Sequence, residues 1–75
     1  MAKAFILIET VVGKTKEVST ELRRSKEVKS VDTVTGPYDI IAVAEAETLS
    51  EIGDILTEKI HPITGISRTV TCMAM

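Results

Sequence analysis

Two stretches of this 75-residue chain are apolar at every position: Ala4-Phe5-Ile6-Leu7-Ile8 and Ile40-Ile41-Ala42-Val43-Ala44. As β-strands they send side chains alternately to two faces, so both faces of each need cover. That is hard to arrange in a chain whose length admits one domain. A domain of this size buries only about 60% of the surface that its unfolded chain exposes. Hydrophobic residues make up 44% and aromatics 3%, so the core has to be built from Ile, Val, Leu and Ala. Much apolar content with little volume to hide it points to a second buried surface, an interface with another chain.

Around these two strands the polar pattern changes period from segment to segment. Lys3–Val12 reads as a central strand that ends at Gly13-Lys14. Thr15–Ser25 reads as a short helix. Thr15 can cap it, Glu17 suits its positive first turn, Val18 and Leu22 share a face, and Glu21 can pair with Arg24. Val28–Thr35 and Asp39–Ala46 read as a hairpin around Gly36-Pro37. Thr48–His61 reads as a second helix, opened by a Thr48/Glu51 capping box and ended by Pro62. Its apolar face is Leu49, Ile52, Ile55, Leu56 and Ile60. Ile66–Met73 is a last strand, with Ile66, Arg68, Val70 and Cys72 on one face and Ser67, Thr69, Thr71 and Met73 on the other.

The order β-α-β-β-α-β predicts an α+β, ferredoxin-like fold. Right-handed crossovers put both helices on one face of a four-stranded antiparallel sheet. The other face is left open, and the apolar central strands predict that a second copy of the chain covers it.

Charge and composition narrow the function. A net charge of −2 argues against an electrostatic nucleic-acid binder. A single cysteine excludes an intramolecular disulfide, and Ala4–Ile8 is too short for a signal sequence or a membrane span. The expectation is a soluble cytoplasmic protein with no membrane contact. One His and one Cys cannot build a tetrahedral metal site, so no metal or cofactor is expected. His61 reads as a helix-end residue and Cys72, beside Val70, as a small buried hydrophobe. Gly13-Lys14 lacks the spacing of a phosphate loop. An RNA-binding sheet would need exposed aromatics, and only Phe5 lies within a strand. No nucleophile with an adjacent base, paired carboxylates or oxyanion signature appears, so no catalytic residue is assigned.

Two features admit either a bland or a functional reading. Gly36-Pro37-Tyr38-Asp39 suits a hairpin turn: Gly allows positive φ, Pro fixes φ, and Asp bonds nearby N–H groups. The same residues suit a recognition loop, in which Gly lets a ligand approach the backbone and the carboxylate takes an ammonium group. Thr69 and Thr71 can fill a half-exposed strand, or form a hydroxyl row that bonds a polar ligand.

Ser30-Val31, Thr35-Gly36-Pro37-Tyr38-Asp39-Ile40 and Ile66-Ser67-Arg68-Thr69-Val70-Thr71 together resemble the effector domain of the Lrp/AsnC transcription regulators. The likeness covers Ala4 to Met73. It implies a ferredoxin-like domain that dimerises through its open sheet face, dimers that assemble into rings such as octamers, and an amino acid effector bound between dimers beside the hairpin loop. Residue by residue, Gly36, Tyr38 and Asp39 match the loop motif, and Thr69 and Thr71 the hydroxyl positions of the last strand. Pro37 stands where the family often has a polar residue, which bears on which effector fits. The family's helix-turn-helix domain precedes this one, and here Met1 stands close before the first strand. The expectation is therefore a single stand-alone domain over residues 1–75, without direct nucleic-acid binding.

The reading is a non-enzymatic amino-acid-binding and oligomerisation module of transcription regulation, with Gly36, Pro37, Tyr38, Asp39, Thr69 and Thr71 as ligand residues. Two alternatives stand beside it. One is a pure assembly adaptor for full-length Lrp/AsnC regulators. The other is a small dimeric α+β barrel enzyme, which is disfavoured by the absence of Trp and Asn and by the position of the single His.

Overall fold

In the computed structural model, which describes residues 1–75, the chain runs β1 (Ala2–Thr10), α1 (Thr15–Leu22), β2 (Val28–Thr33), β3 (Ile40–Ala46), α2 (Leu49–Ile55), a π-helical turn (Leu56–Ile60) and β4 (Ile66–Met73). The strands form one antiparallel sheet in the order β2-β3-β1-β4. This is the ferredoxin-like arrangement that the sequence predicts. The two strands that are apolar on both faces, β1 and β3, lie side by side in its middle.

Register sorts the side chains into faces. Ile6 stands opposite Ala42 and Ile8 opposite Ile40, and all four are fully buried. Val18 and Leu22 of α1 and Ile52 and Ile55 of α2 complete the same core. Alternation sends Phe5 and Leu7 to the opposite face, where they meet Val43 and Ile41 of β3 and Cys72 and Val70 of β4. No element of the chain covers that face, and Phe5 stays 38% and Val70 36% exposed. Cys72 is exposed and not a buried hydrophobe, because β4 is an edge strand and Cys72 points to the uncovered side.

The second helix opens as its sequence predicts. The Thr48 hydroxyl accepts from Glu51 N–H (3.2 Å), and Glu51 Oε1 accepts from Thr48 N–H (3.1 Å). After Ile55 the helix widens into a π turn that keeps Leu56 and Ile60 buried, and His61 N–H donates to Leu56 O at 2.8 Å. Pro62 has no N–H with which to continue it. Lys59 Nζ holds both carboxylate oxygens of Glu27, at 2.9 and 3.0 Å, and ties this turn to the start of β2.

Helix α1 is shorter than the segment Thr15–Ser25. It stops at Leu22, the last apolar residue before Val28, and Arg23 closes it. Thr15 is its first helical residue and not its cap. Lys14 occupies the cap position and gives no side-chain bond, because its ammonium group has no acceptor to offer the first-turn N–H groups, while the Thr15 hydroxyl is bonded to that of Thr10 at 2.7 Å. Strand β1 ends at Thr10, two residues before Val12. Val11 N–H turns to Gly65 O at 2.7 Å, and Lys14 N–H closes a turn on Val11 O at 2.9 Å. Gly65 sits at φ +105, where an added Cβ would lie 3.0 Å from both Lys14 Cβ and Val18 Cγ2.

Candidate functional site

The hairpin between β2 and β3 is a six-residue loop, 34–39, closed by Val34 N–H donating to Asp39 O at 2.9 Å. Gly36 takes φ +124 there, which L side chains rarely adopt, and the space around it is open. Gly36 and Pro37 are exposed, while Tyr38 and Asp39 are half-buried.

Asp39 is held by its backbone and its side chain. Its N–H donates to Ile8 O at 2.9 Å, which carries the β1–β3 ladder one step past Ile40. Its Oδ2 accepts from Thr10 N–H at 2.8 Å and from the Thr10 hydroxyl at 3.3 Å. A hydroxyl has one proton, so the Thr15 hydroxyl donates to Thr10 in turn. A relay thus runs from the first residue of α1 through Thr10 to the hairpin carboxylate. The β1–β4 register shifts between Glu9 and Thr10, and such a bulge re-aims the residues around it. Oδ1 of Asp39 makes no hydrogen bond within the chain.

Tyr38 leans toward β4. Arg68 Nη2 donates to its hydroxyl over 3.4 Å, and the guanidinium lies 5.9 Å from the ring centre. The same nitrogen is 3.4 Å from Glu9 Oε2, across the β1–β4 pair in which Glu9 and Arg68 stand opposite. Ser67 donates its hydroxyl to Glu9 O at 3.1 Å.

The six residues expected at the site therefore fall into two groups. Gly36, Pro37, Tyr38 and Asp39 share the loop. Thr69 and Thr71 pair with Ile8 and Ile6, which puts them half-buried on the helix side of the sheet, with no side-chain bond to the loop. The motif Arg68-Thr69-Val70-Thr71 meets the loop through its arginine. Thr10 and Glu9 join the site without having been singled out, and Arg68, quoted in the last-strand motif, joins it without having been assigned as a ligand residue. The alternation that put Arg68 on the face opposite Thr69 was the signal available for it.

The two surface grooves lie elsewhere, one between α1 and Pro62–Thr64, the other between the start of β2 and the outer side of α2. None of the six residues lines either groove. No group of three or more His, Cys, Asp or Glu side chains is placed to hold a metal ion. No helix is long and apolar enough to cross a membrane.

The family model of the Lrp/AsnC ligand binding domain matches residues 3–75. The chain belongs to this family. An uncharacterized HTH-type transcriptional regulator of Pyrococcus horikoshii is 35% identical to this Lrp/AsnC domain over 68 residues, covering 91% of the chain and 43% of the regulator. The domain spans less than half the length of the curated regulators it matches. A hypothetical protein of Pyrococcus horikoshii, known from a crystal structure, is 40% identical with a TM-score of 0.94, over 100% of this chain and 90% of that one. A transcriptional regulator of Neisseria meningitidis, solved as a complex with L-Met, is 17% identical with a TM-score of 0.88, over 99% of this chain and 49% of that one. At that identity the likeness speaks for the fold alone. The family model is that of a ligand-binding domain and the curated relatives are HTH-type transcriptional regulators, so this Lrp/AsnC domain is a ligand-binding domain and not an enzyme.

Proposed function

We propose that this domain binds a small amino acid beside the 34–39 loop, within an oligomer built by pairing of the uncovered sheet faces. Dimers assemble further into a ring of the octamer kind, and the effector lies between dimers. Asp39 takes the ligand's ammonium group, and the backbone at Gly36 and Tyr38 shapes the rest of the site, next to Pro37. Thr69 and Thr71 keep a part only from the helix side of β4.

The observation that carries this reading is the state of Asp39. One carboxylate oxygen is fixed on Thr10, and the other is unengaged beside an exposed loop in a ligand-binding domain. A carboxylate with one oxygen anchored is pre-oriented for a charge-assisted bond. The uncovered apolar patch of Phe5, Leu7, Ile41, Val43 and Val70 supports pairing, since a contiguous apolar face on a small domain marks an interface. The L-Met complex of the neisserial regulator supports the choice of an amino acid as ligand class.

Isothermal titration against the twenty amino acids, with mass by light scattering, tests the reading. Binding by wild type and its loss in Asp39→Asn, at unchanged mass, is the expected result. Asn keeps an oxygen for Thr10 N–H but loses the charge. No binding at millimolar concentration sinks the sensing function. Co-assembly with a full-length Lrp/AsnC regulator would then favour the adaptor reading.

A further inference from the structure

We infer that Arg68 is a positioning residue of the hairpin site, holding Tyr38 in place, with Glu9 holding Arg68. This rests on the effector reading above and adds to the same site a residue that the loop motif does not contain.

The loop is anchored unevenly. Asp39 is fixed through its N–H, its carbonyl and its carboxylate, whereas Gly36 and Pro37 are exposed. Tyr38 lies between these regimes, and Arg68 is the one side chain that hydrogen-bonds it. The guanidinium offers Tyr38 two contacts of different kinds. Its Nη2 reaches the hydroxyl at 3.4 Å, and its cationic plane sits 5.9 Å from the ring centre, inside the range for a cation–π contact. Arg68 is itself placed by Glu9, 3.4 Å away, and Glu9 is pinned through its carbonyl by the Ser67 hydroxyl. The chain of contacts thus runs from β1 to β4 to the loop.

Tyr38 directly precedes Asp39 in the 34–39 loop, so a ring held on Arg68 fixes the course of the loop that carries the Asp39 carboxylate. A lysine at 68 would keep the charge but lose the plane and the fork that engage ring and hydroxyl. The Arg68 contact also sits on the uncovered sheet face, between the apolar patch and the loop. The side chain that orients the loop is therefore in line with the surface through which copies pair.

The chain has one tyrosine and no tryptophan, so its intrinsic fluorescence reports on Tyr38 alone. Wild type, Arg68→Lys, Arg68→Ala and Glu9→Gln are compared by tyrosine emission and anisotropy, by circular dichroism and by titration with the twenty amino acids. The expected result is an altered Tyr38 signal in both Arg68 variants at unchanged dichroism. Affinity for the amino acids that wild type binds falls roughly two- to five-fold, the factor carried by one exposed cation–π contact. Lysine does not rescue the loss. If Arg68→Ala fails to fold, Arg68→Lys and Glu9→Gln carry the comparison. An unchanged Tyr38 signal overturns the inference whether or not any amino acid binds. A changed signal with unchanged affinity overturns it too, because Arg68 is then a structural contact only. If wild type binds none of the twenty, the effector reading falls and takes the site role of Arg68 with it. The Tyr38 signal then separately reports whether the contact itself exists.

Discussion

Asp39 reaches from the hairpin loop to the backbone N–H of Thr10, 2.8 Å away, and so closes the end of β1 with a side chain where the ladder has run out. Asp39→Ala leaves that half-buried N–H without its partner, and a loss of about 1–3 kcal/mol is expected. Asp39→Asn keeps an acceptor and should retain most of the stability. Urea denaturation at one fixed protein concentration measures both, since assembly shifts apparent stability. Equal stability of Asp39→Ala and wild type would show that the bond is not made in solution.

Gly65 makes a second prediction. Its φ of +105 and the 3.0 Å approach of Lys14 Cβ and Val18 Cγ2 leave a side chain both strained and crowded. Gly65→Ala should cost on the order of 1–3 kcal/mol, read as a lower melting temperature. Gly36→Ala is strained in φ but meets open space, so its cost should be the smaller of the two.

The two faces of β1 predict opposite outcomes for neighbouring residues. Ile6 is fully buried, and Ile6→Ala should lose about 2–5 kcal/mol of stability. Phe5 lies on the uncovered face at 38% exposure. Phe5→Glu should leave the secondary structure intact and lower the mass found by light scattering. A mass unchanged by Phe5→Glu would place the pairing surface elsewhere.

The Lys59–Glu27 pair predicts a pH dependence. The bond from Lys59 lowers the Glu27 carboxyl below its ordinary value of 4.5. A folded-state value below the unfolded one contributes stability that is present above pH 4.5 and is lost as the pH falls through the lowered value. The gap in melting temperature between wild type and Glu27→Gln should be constant near neutrality and shrink in acid. Because the pair is exposed, added salt should narrow it as well. A gap that does not depend on pH would mean the ion pair adds nothing.

The parts of this fold that are legible in sequence are the local ones. Thr48 and Glu51 are three residues apart, and their reciprocal bonds form wherever the chain goes. The apolar runs of β1 and β3 need no partner to be recognised as strands. The boundaries of β4, Ile66–Met73, follow from Gly65 before it and from its β-branched alternation. The candidate site is less legible because its bonds are distant. Thr10 and Asp39 are 29 residues apart, and Arg68 and Tyr38 are 30 apart. Alternation separates Arg68 from Thr69 correctly, but on an edge strand with polar residues on both faces it does not say which face meets the loop. The π turn at Leu56–Ile60 leaves no mark either, since its apolar spacing fits an ordinary helix.

The pairing of β4 with β1 has a consequence for how the chain comes into being. The first and last strands hydrogen-bond to each other, and Ala74 N–H still donates to Lys3 O at 2.8 Å. A chain emerging from the ribosome therefore exposes the apolar run Ala4–Ile8 along one strand edge until Ile66–Met73 has been made. Such pairing between distant segments is intrinsically slow, and an open apolar strand edge is sticky meanwhile. Glu9 and Tyr38 are also without Arg68 until that last strand docks, so the loop acquires its final shape only when synthesis of the sheet is complete.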